Sequence, residues 1–261
     1  MSGVTLALLV PVLRLWKAAL SVPWSYVGDT AFHAMVVQTS LERGWYLATS
    51  RLGAPLGHQM YDVPLGGETF QLVMMRAIGL VLNNPFAVIN VYYLLTFVLV
   101  ASSAYLVLRA LGITRAPAGV AAVLYAFLPY HFVAHGQAHL FLSGYYTVPL
   151  GALLLCWHLE GRLLPRQLRE LGEEDTPPRL TRGRLIAAVA ICVVVGGSST
   201  YYAVFTLVLL GLATVVEVAR LRSWRPLVPA ALIGGVIYVT LAAGLPPTLL
   251  YQRTLGVGPV G

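Results

Sequence analysis

Charge is scarce in this 261-residue chain: charged residues make up 10%, hydrophobic residues 58%, and the mean hydropathy is +0.77. Soluble domains carry about a quarter of their residues charged. A soluble globular fold is therefore excluded, and an integral membrane protein is expected. Cysteine is almost lacking: Cys156 and Cys192 sit in apolar segments with neither CxxC spacing nor a His/Cys cluster nearby. That disfavours a disulfide framework and a zinc site. Lysine is represented by Lys17 alone, so the net charge of +7 is an arginine charge. Those arginines are scattered through short connections instead of forming one stripe, which argues against nucleic acid as a partner. There is no internal repeat and no low-complexity tract.

What is abundant is long apolar sequence. A spanning helix needs roughly 20 mostly apolar residues, and seven segments approach this: about 4–25, 86–108, 116–132, 143–159, 180–197, 200–219 and 227–250. The expected fold class is all-α, a polytopic transmembrane helical bundle of about seven crossings, organised as a single module over 1–261. Arg14 and Lys17, three apart within the first segment, would share one helical face and snorkel outward. Arginines cluster around 109–115, 162–184 and 220–225, and short basic loops face the cytoplasm. With 180–225 basic at both ends, the segment must cross twice, turning at GGSST (196–200). The loops 26–85, 133–142 and 196–200 and the tail after Tyr251 are then extracytosolic, and 160–184 is a solvated cytoplasmic loop.

The loop 26–85 carries four of the ten acids: Asp29, Glu42, Asp62 and Glu68. Helical-period apolar spacing over 29–45 (Phe32, Met35, Val36, Thr39) and 68–82 (Phe70, Val73, Met74, Ala77) predicts two amphipathic interfacial helices. The Gly- and Pro-rich stretch between them should be an ordered, irregular crossing.

Three constellations are able to carry chemistry. Asp29, before the first amphipathic helix, is either an N-cap or a general base at a dry membrane edge. His33, one turn on, could share a proton or a ligand with it. Asp62, beside His58 in GHQMYDVPLGG, is either a turn residue or a second acid contacting a sugar hydroxyl. In PYHFVAHGQAHL, His131, His135 and His139 recur every four residues and would stack along one face if helix persisted through Gly136. Metal ligation, ordinary interfacial histidines and recognition of a phosphate headgroup all remain open. Together with Arg76 and Arg253 these histidines could form an anion site on the side of Asp29. Tyr201 and Tyr202 read as aromatic-belt residues, with sugar stacking as the second choice.

The ordered run of GDTAFH, GWY, APLGHQMYDVPLGGE, NPFAVINVYYLLTF and YLVLRALGITRAPAGVAAVLYAFLPYHFVAHGQAHLFLSGYYTVPLG resembles bacterial polytopic glycosyltransferases of the GT-C superfamily, including the YfhO-like and mannosyltransferase-like membrane proteins. The likeness covers roughly 26–158 and, more loosely, 196–205. It implies a multi-pass plasma-membrane enzyme that moves a sugar from a polyprenyl-phosphate donor to an extracytosolic glycan, lipid or protein acceptor, with inversion. In this resemblance Asp29 matches the catalytic base, Asp62 the second acid, and His131 and His139 a polar outer segment; read from the residues themselves, His33, His58, Arg76, His131, His135, His139 and Arg253 are the candidate substrate-binding residues. No metal ligand set is implied, although a divalent cation stays open as a cofactor. Family members are longer, so the chain corresponds to their amino-terminal part. The competing readings are a non-catalytic membrane scaffold or inactive fragment and, less favoured, a transporter or lipid flippase, which would place ionisable groups near mid-membrane.

Overall fold

In a computed structural model of the chain, residues 1–61, 65–136, 139–163 and 181–255 are described, with backbone alone at 134–136 and at several positions from 248 on. The fold is all-α apart from one very short hairpin. In chain order the helices are α1 (Ser2–Val12), α2 (Thr30–Arg43), α3 (Thr69–Gly79), α4 (Pro85–Ala110), α5 (Arg115–Ala126), α6 (Pro129–Gly136), α7 (Thr147–Leu159), α8 (Arg182–Ser198), α9 (Thr200–Leu221), α10 (Leu227–Ala242) and α11 (Pro246–Leu255). Two strands, β1 (Ala48–Thr49) and β2 (His58–Gln59), pair antiparallel between α2 and α3, with Thr49 opposite His58.

Among the described residues, three helical stretches are long and apolar enough to cross a membrane: Pro85–Ala110, Arg115–Val133 and Thr200–Leu221. The second contains α5 and runs into α6 across a break at Phe127 and Leu128. At 26 residues, α4 is roughly 39 Å long, more than a hydrocarbon core of about 30 Å. Its entry is set by Asn84, whose side chain accepts from the Ala87 N–H at 2.9 Å, with Pro85 in the first turn. Ser2–Val12, Thr147–Leu159 and Leu227–Ala242 are shorter apolar helices. Through its middle α9 exposes large apolar side chains, Val208, Leu209, Leu212, Val215 and Val216, consistent with a membrane-associated helical bundle.

The first apolar segment differs from expectation, because it is not one helix. α1 contains Pro11 and stops at Val12; Arg14 turns left-handed (φ 50°) and a 3-10 turn follows at Leu15–Lys17. Pro11 cannot donate to the ladder and crowds the preceding turn, so Arg14 and Lys17 do not share a helical face. The chain beyond is tied back by Asn90 of α4, whose amide donates to the carbonyls of Leu20 (2.9 Å) and Val22 (2.8 Å). The GGSST turn is also tighter than expected: Gly196 and Gly197 remain in α8, and the single extended residue Ser199 (φ −168°, ψ 125°) separates α8 from α9. Most of the expected cytoplasmic loop 160–184 lies outside the described residues.

α4 is the central element, packing against α1, α2, α3, α5 and α7, while α8 packs on α7, α10 and α3. One core joins the first half around Val36, Met75, Tyr92 and Phe97; a second joins α7 to α10 around Leu154, Val195 and Ile237. A polar cluster sits within the second half, where the ring of His158 meets the Thr214 hydroxyl at 3.1 Å and Glu217 pairs with Arg220 at 3.2 Å.

Gln71 of α3 connects the two halves. It is 0% exposed. Its amide NH2 donates to the Phe141 carbonyl (3.1 Å) and to the Ser198 carbonyl, and its carbonyl accepts from the Tyr92 hydroxyl. Ser198 ends α8, where a carbonyl has no intrahelical partner. The amide arrives only because residue 144 is glycine: a Cβ there would lie 2.9 Å from the Gln71 carbonyl oxygen. Gln71→Met, of similar length but without the amide, is expected to lower stability by roughly 3 kcal/mol because it orphans buried acceptors. Thermal unfolding in detergent should show it more damaging than Tyr92→Phe, which removes one bond of the three.

Candidate functional site

A cavity of about 960 Å³ lies where α2, the turn before α3, the stretch 139–142 and the start of α9 converge. Its polar lining comes from Asp29, His33, Glu68, His139 and Thr200; its apolar lining is mainly aromatic, from Phe32, Phe141, Tyr130, Tyr201, Tyr202 and Phe205.

Asp29 occupies the N-cap position of α2, yet its side chain makes no capping bond. Its Oδ2 instead accepts from Nδ1 of His139 at 3.1 Å, 110 residues further along the chain. Both side chains are about half exposed, 54% and 47%, so the pair adds little stability, on the order of 1 kcal/mol or less. Its consequence is positional, since a carboxylate and an imidazole meet at the mouth of an aromatic-walled space. His33 is buried one turn further along α2, with its ring edge-on to Phe141 at a centroid distance of 4.8 Å.

Glu68 lines the same cavity from the turn before α3. It ends the 3-10 turn Leu65–Glu68, precedes the first residue of α3 and is only 7% exposed. Its carboxyl accepts hydrogen bonds from the backbone N–H and the hydroxyl of Thr200, the first residue of α9. The turn is pressed so closely on α9 that any Cβ at residue 67 would overlap the Thr200 hydroxyl, which makes Gly67 obligatory. Burial raises the Glu68 pKa above its ordinary 4.5, and the bonds from Thr200 offset only part of this. The Tyr46 phenol is likewise raised, first by burial and then by the Glu68 charge.

Tyrosines frame the third side. The Tyr202 hydroxyl donates to the Leu142 carbonyl at 2.7 Å, so in its 2.8 Å contact with Tyr130 the Tyr130 hydroxyl is the donor. Tyr201 and Phe205 are 62% and 60% exposed and carry the aromatic wall onto the outward face of α9.

Of the residues singled out in the sequence, the cavity gathers Asp29, His33 and His139, and Tyr201 and Tyr202 on its aromatic wall. The others stand elsewhere or outside description. His131 is 0% exposed, stacked on Phe97 at 3.7 Å, with Nε2 at 2.9 Å from the Thr96 hydroxyl and Nδ1 at 3.1 Å from that of Tyr145. The expected histidine stack does not form, because α6 ends at Gly136 and His139 stands beyond it, just before a 3-10 stretch at Leu140–Gly144. His58 lines a separate cleft of about 350 Å³ with Arg43 and Ser50. Arg76 is half-buried beside Val37 and Leu41, and Arg253 is exposed on α11, so neither lines the cavity and the expected His–Arg anion site is not assembled there. Asp62 and the side chain of His135 lie outside the described residues. Among the described residues no three His, Cys, Asp or Glu side chains gather as a metal site.

Glu68, Thr200 and Tyr130 are cavity residues that motif reading did not select. Glu68 had a signal, an acid after two glycines at the start of an amphipathic helix. Its partner Thr200 is 132 positions away and had none.

No protein-family model matches this chain, and no curated protein or solved structure matches it either.

Because the folded chain holds the Glu68 proton at pH values where the unfolded chain has released it, this stabilisation is complete below about pH 4.5 and is lost as pH rises through the raised pKa. The melting-temperature difference between Glu68→Gln and the unsubstituted protein should therefore shift in favour of the amide as pH rises above 4.5. Parallel pH profiles for the two proteins would contradict this.

Proposed function

We propose that this protein is a multi-pass membrane glycosyltransferase that takes a sugar from a polyprenyl-phosphate donor and transfers it to an extracytosolic acceptor. One observation carries the proposal: the large cavity combines an acid–imidazole pair with aromatic walls that continue onto the apolar outward face of α9. A lipid carrying a polar headgroup needs such a space, because its chain can stay in hydrocarbon while the sugar and phosphate reach fixed polar groups. Aromatic side chains also offer the flat apolar faces on which a sugar ring packs. In this reading the chain crosses the membrane seven times, and the cavity opens on the extracytosolic side.

The chemistry is a single displacement. Asp29 accepts the proton of an acceptor hydroxyl as that oxygen forms a bond to the anomeric carbon. The bond from the anomeric carbon to the phosphate oxygen breaks on the opposite face, the electron pair leaves with the lipid phosphate, and the configuration inverts. His139 holds the Asp29 carboxylate through Nδ1 and positions it. Most of the rate enhancement comes from fixing the two reactants in line.

In proteoliposomes supplied with polyprenyl-phosphoryl hexoses and a hydroxyl-bearing glycan acceptor, the protein should move the hexose to the acceptor and release polyprenyl phosphate. Asp29→Asn should lower that turnover roughly a hundredfold or more while leaving the melting temperature nearly unchanged, since the side chain makes no capping bond. Full turnover by the Asn variant would exclude Asp29 as the base, and absence of release by the unsubstituted protein with every hexose donor would refute the transfer reaction.

A further inference from the structure

The Asp29 displacement leaves one acid of the cavity without a task. Glu68 approaches the same space from a different element, and it is the more buried of the two carboxyls, with 7% exposure. Its place cannot be explained by helix capping alone. Ser199, at the N-cap position of α9, makes no side-chain capping bond, so Glu68 supplies the acceptor for Thr200; yet a serine, threonine or asparagine in the Leu65–Glu68 turn could accept from Thr200 without the cost of burying an ionisable group. Glu68 is held by two hydrogen bonds from Thr200 and a third from its own backbone N–H. A carboxyl has about four acceptor positions, so it keeps capacity to bind a hydroxyl placed in the cavity. Its rigid seat matters, because a buried group fixed before the ligand arrives discriminates strongly between ligands that satisfy it and ligands that do not.

We propose that Glu68 is a specificity-determining residue of this cavity, pinned by Thr200 and hydrogen-bonded to a hydroxyl of the sugar that the lipid donor carries. The inference rests on the transferase reading above and assigns the recognition of the sugar, as distinct from its phosphate, to this one side chain. Asp29 and His139 lie at the mouth of the cavity, while Glu68 lies on its buried wall. The sugar therefore occupies the space between them against the aromatic lining. A donor without its sugar loses the Glu68 contact together with the packing of the ring on the aromatic lining.

The test is a competition read by native mass spectrometry. The purified full chain in mild detergent is offered equal amounts of polyprenyl phosphate and polyprenyl-phosphoryl hexose, with mannose, glucose and galactose taken in turn. The unsubstituted protein should retain at least one sugar-bearing lipid in preference to the bare phosphate. Glu68→Gln keeps an oxygen for Thr200, and with it the cap on α9, but should reduce that preference about tenfold and leave the bare phosphate bound as before. Thr200→Val keeps the side-chain shape that packs on Gly67 and removes the hydroxyl bond to the carboxyl while leaving the backbone one; it should move the preference in the same direction by a smaller factor, and it decides the question if the Gln variant does not fold. An unchanged preference in the folded variants, with the unsubstituted protein still selective, would overturn the role of Glu68 and leave the transferase reading standing. An unsubstituted protein that holds bare and sugar-bearing lipids equally would overturn both.

Discussion

The buried amide of Gln71 is the contact on which the arrangement of the cavity depends. It joins α3 to the Phe141 carbonyl, to the last carbonyl of α8 and to Tyr92 of α4. Phe141, Ser198 and Gln71 itself belong to, or lead directly into, elements that line the cavity, while Tyr92 ties them to α4. Phe141 is itself a wall residue; Ser198 precedes Thr200 by two positions; and α3 begins immediately after Glu68. In an apolar surrounding a polar group without a partner costs several kcal/mol, on the order of 2–7, so these groups must find one another. The same demand that closes the fold thus fixes the spacing between the acids of the cavity.

The cavity contrasts two kinds of acid. Asp29 is half exposed and paired with an imidazole across a long loop closure, in a setting suited to a proton that must come and go. Glu68 is enclosed, anchored at the start of a 22-residue helix, and held toward its protonated form by burial. Burial and fixed bonding favour recognition, whereas partial solvation favours proton transfer. The division of labour proposed for them matches this difference in surroundings, although both are carboxyls of the same loop.

Much of the helical framework was legible in the sequence because length and hydropathy determine it. The segments expected at 86–108 and 200–219 appear as Pro85–Ala110 and Thr200–Leu221, and the amphipathic stretches 29–45 and 68–82 as Thr30–Arg43 and Thr69–Gly79. Which face of each helix turns inward was less legible. In α3 the spacing favoured Phe70, Val73, Met74 and Ala77, but the buried residues are Gln71, Leu72 and Met75, and Val73 is 48% exposed. Near hydrocarbon an apolar side chain is content on the outside, while a glutamine gains by turning inward, so periodicity no longer identifies the core face. His131 illustrates the same inversion: the helix break at Phe127 and Leu128 turns it onto Phe97 and Thr96 instead of the outer surface. Asp29 and His139 were each readable as functional candidates, yet their pairing depends on the chain leaving helix after Gly136, which the four-residue histidine spacing concealed.

Photo-crosslinking tests the central claim most directly, namely that this cavity receives the headgroup of a lipid-linked sugar. A polyprenyl-phosphoryl hexose bearing a diazirine on the isoprenoid unit nearest the phosphate would be irradiated with the purified protein and the labelled residues mapped by peptide sequencing. The account predicts labels on Tyr201, Phe205 and the 139–142 stretch, all lost on competition with unlabelled donor. Labels confined to the outward faces of α4 or α10, or labels insensitive to competition, would contradict it.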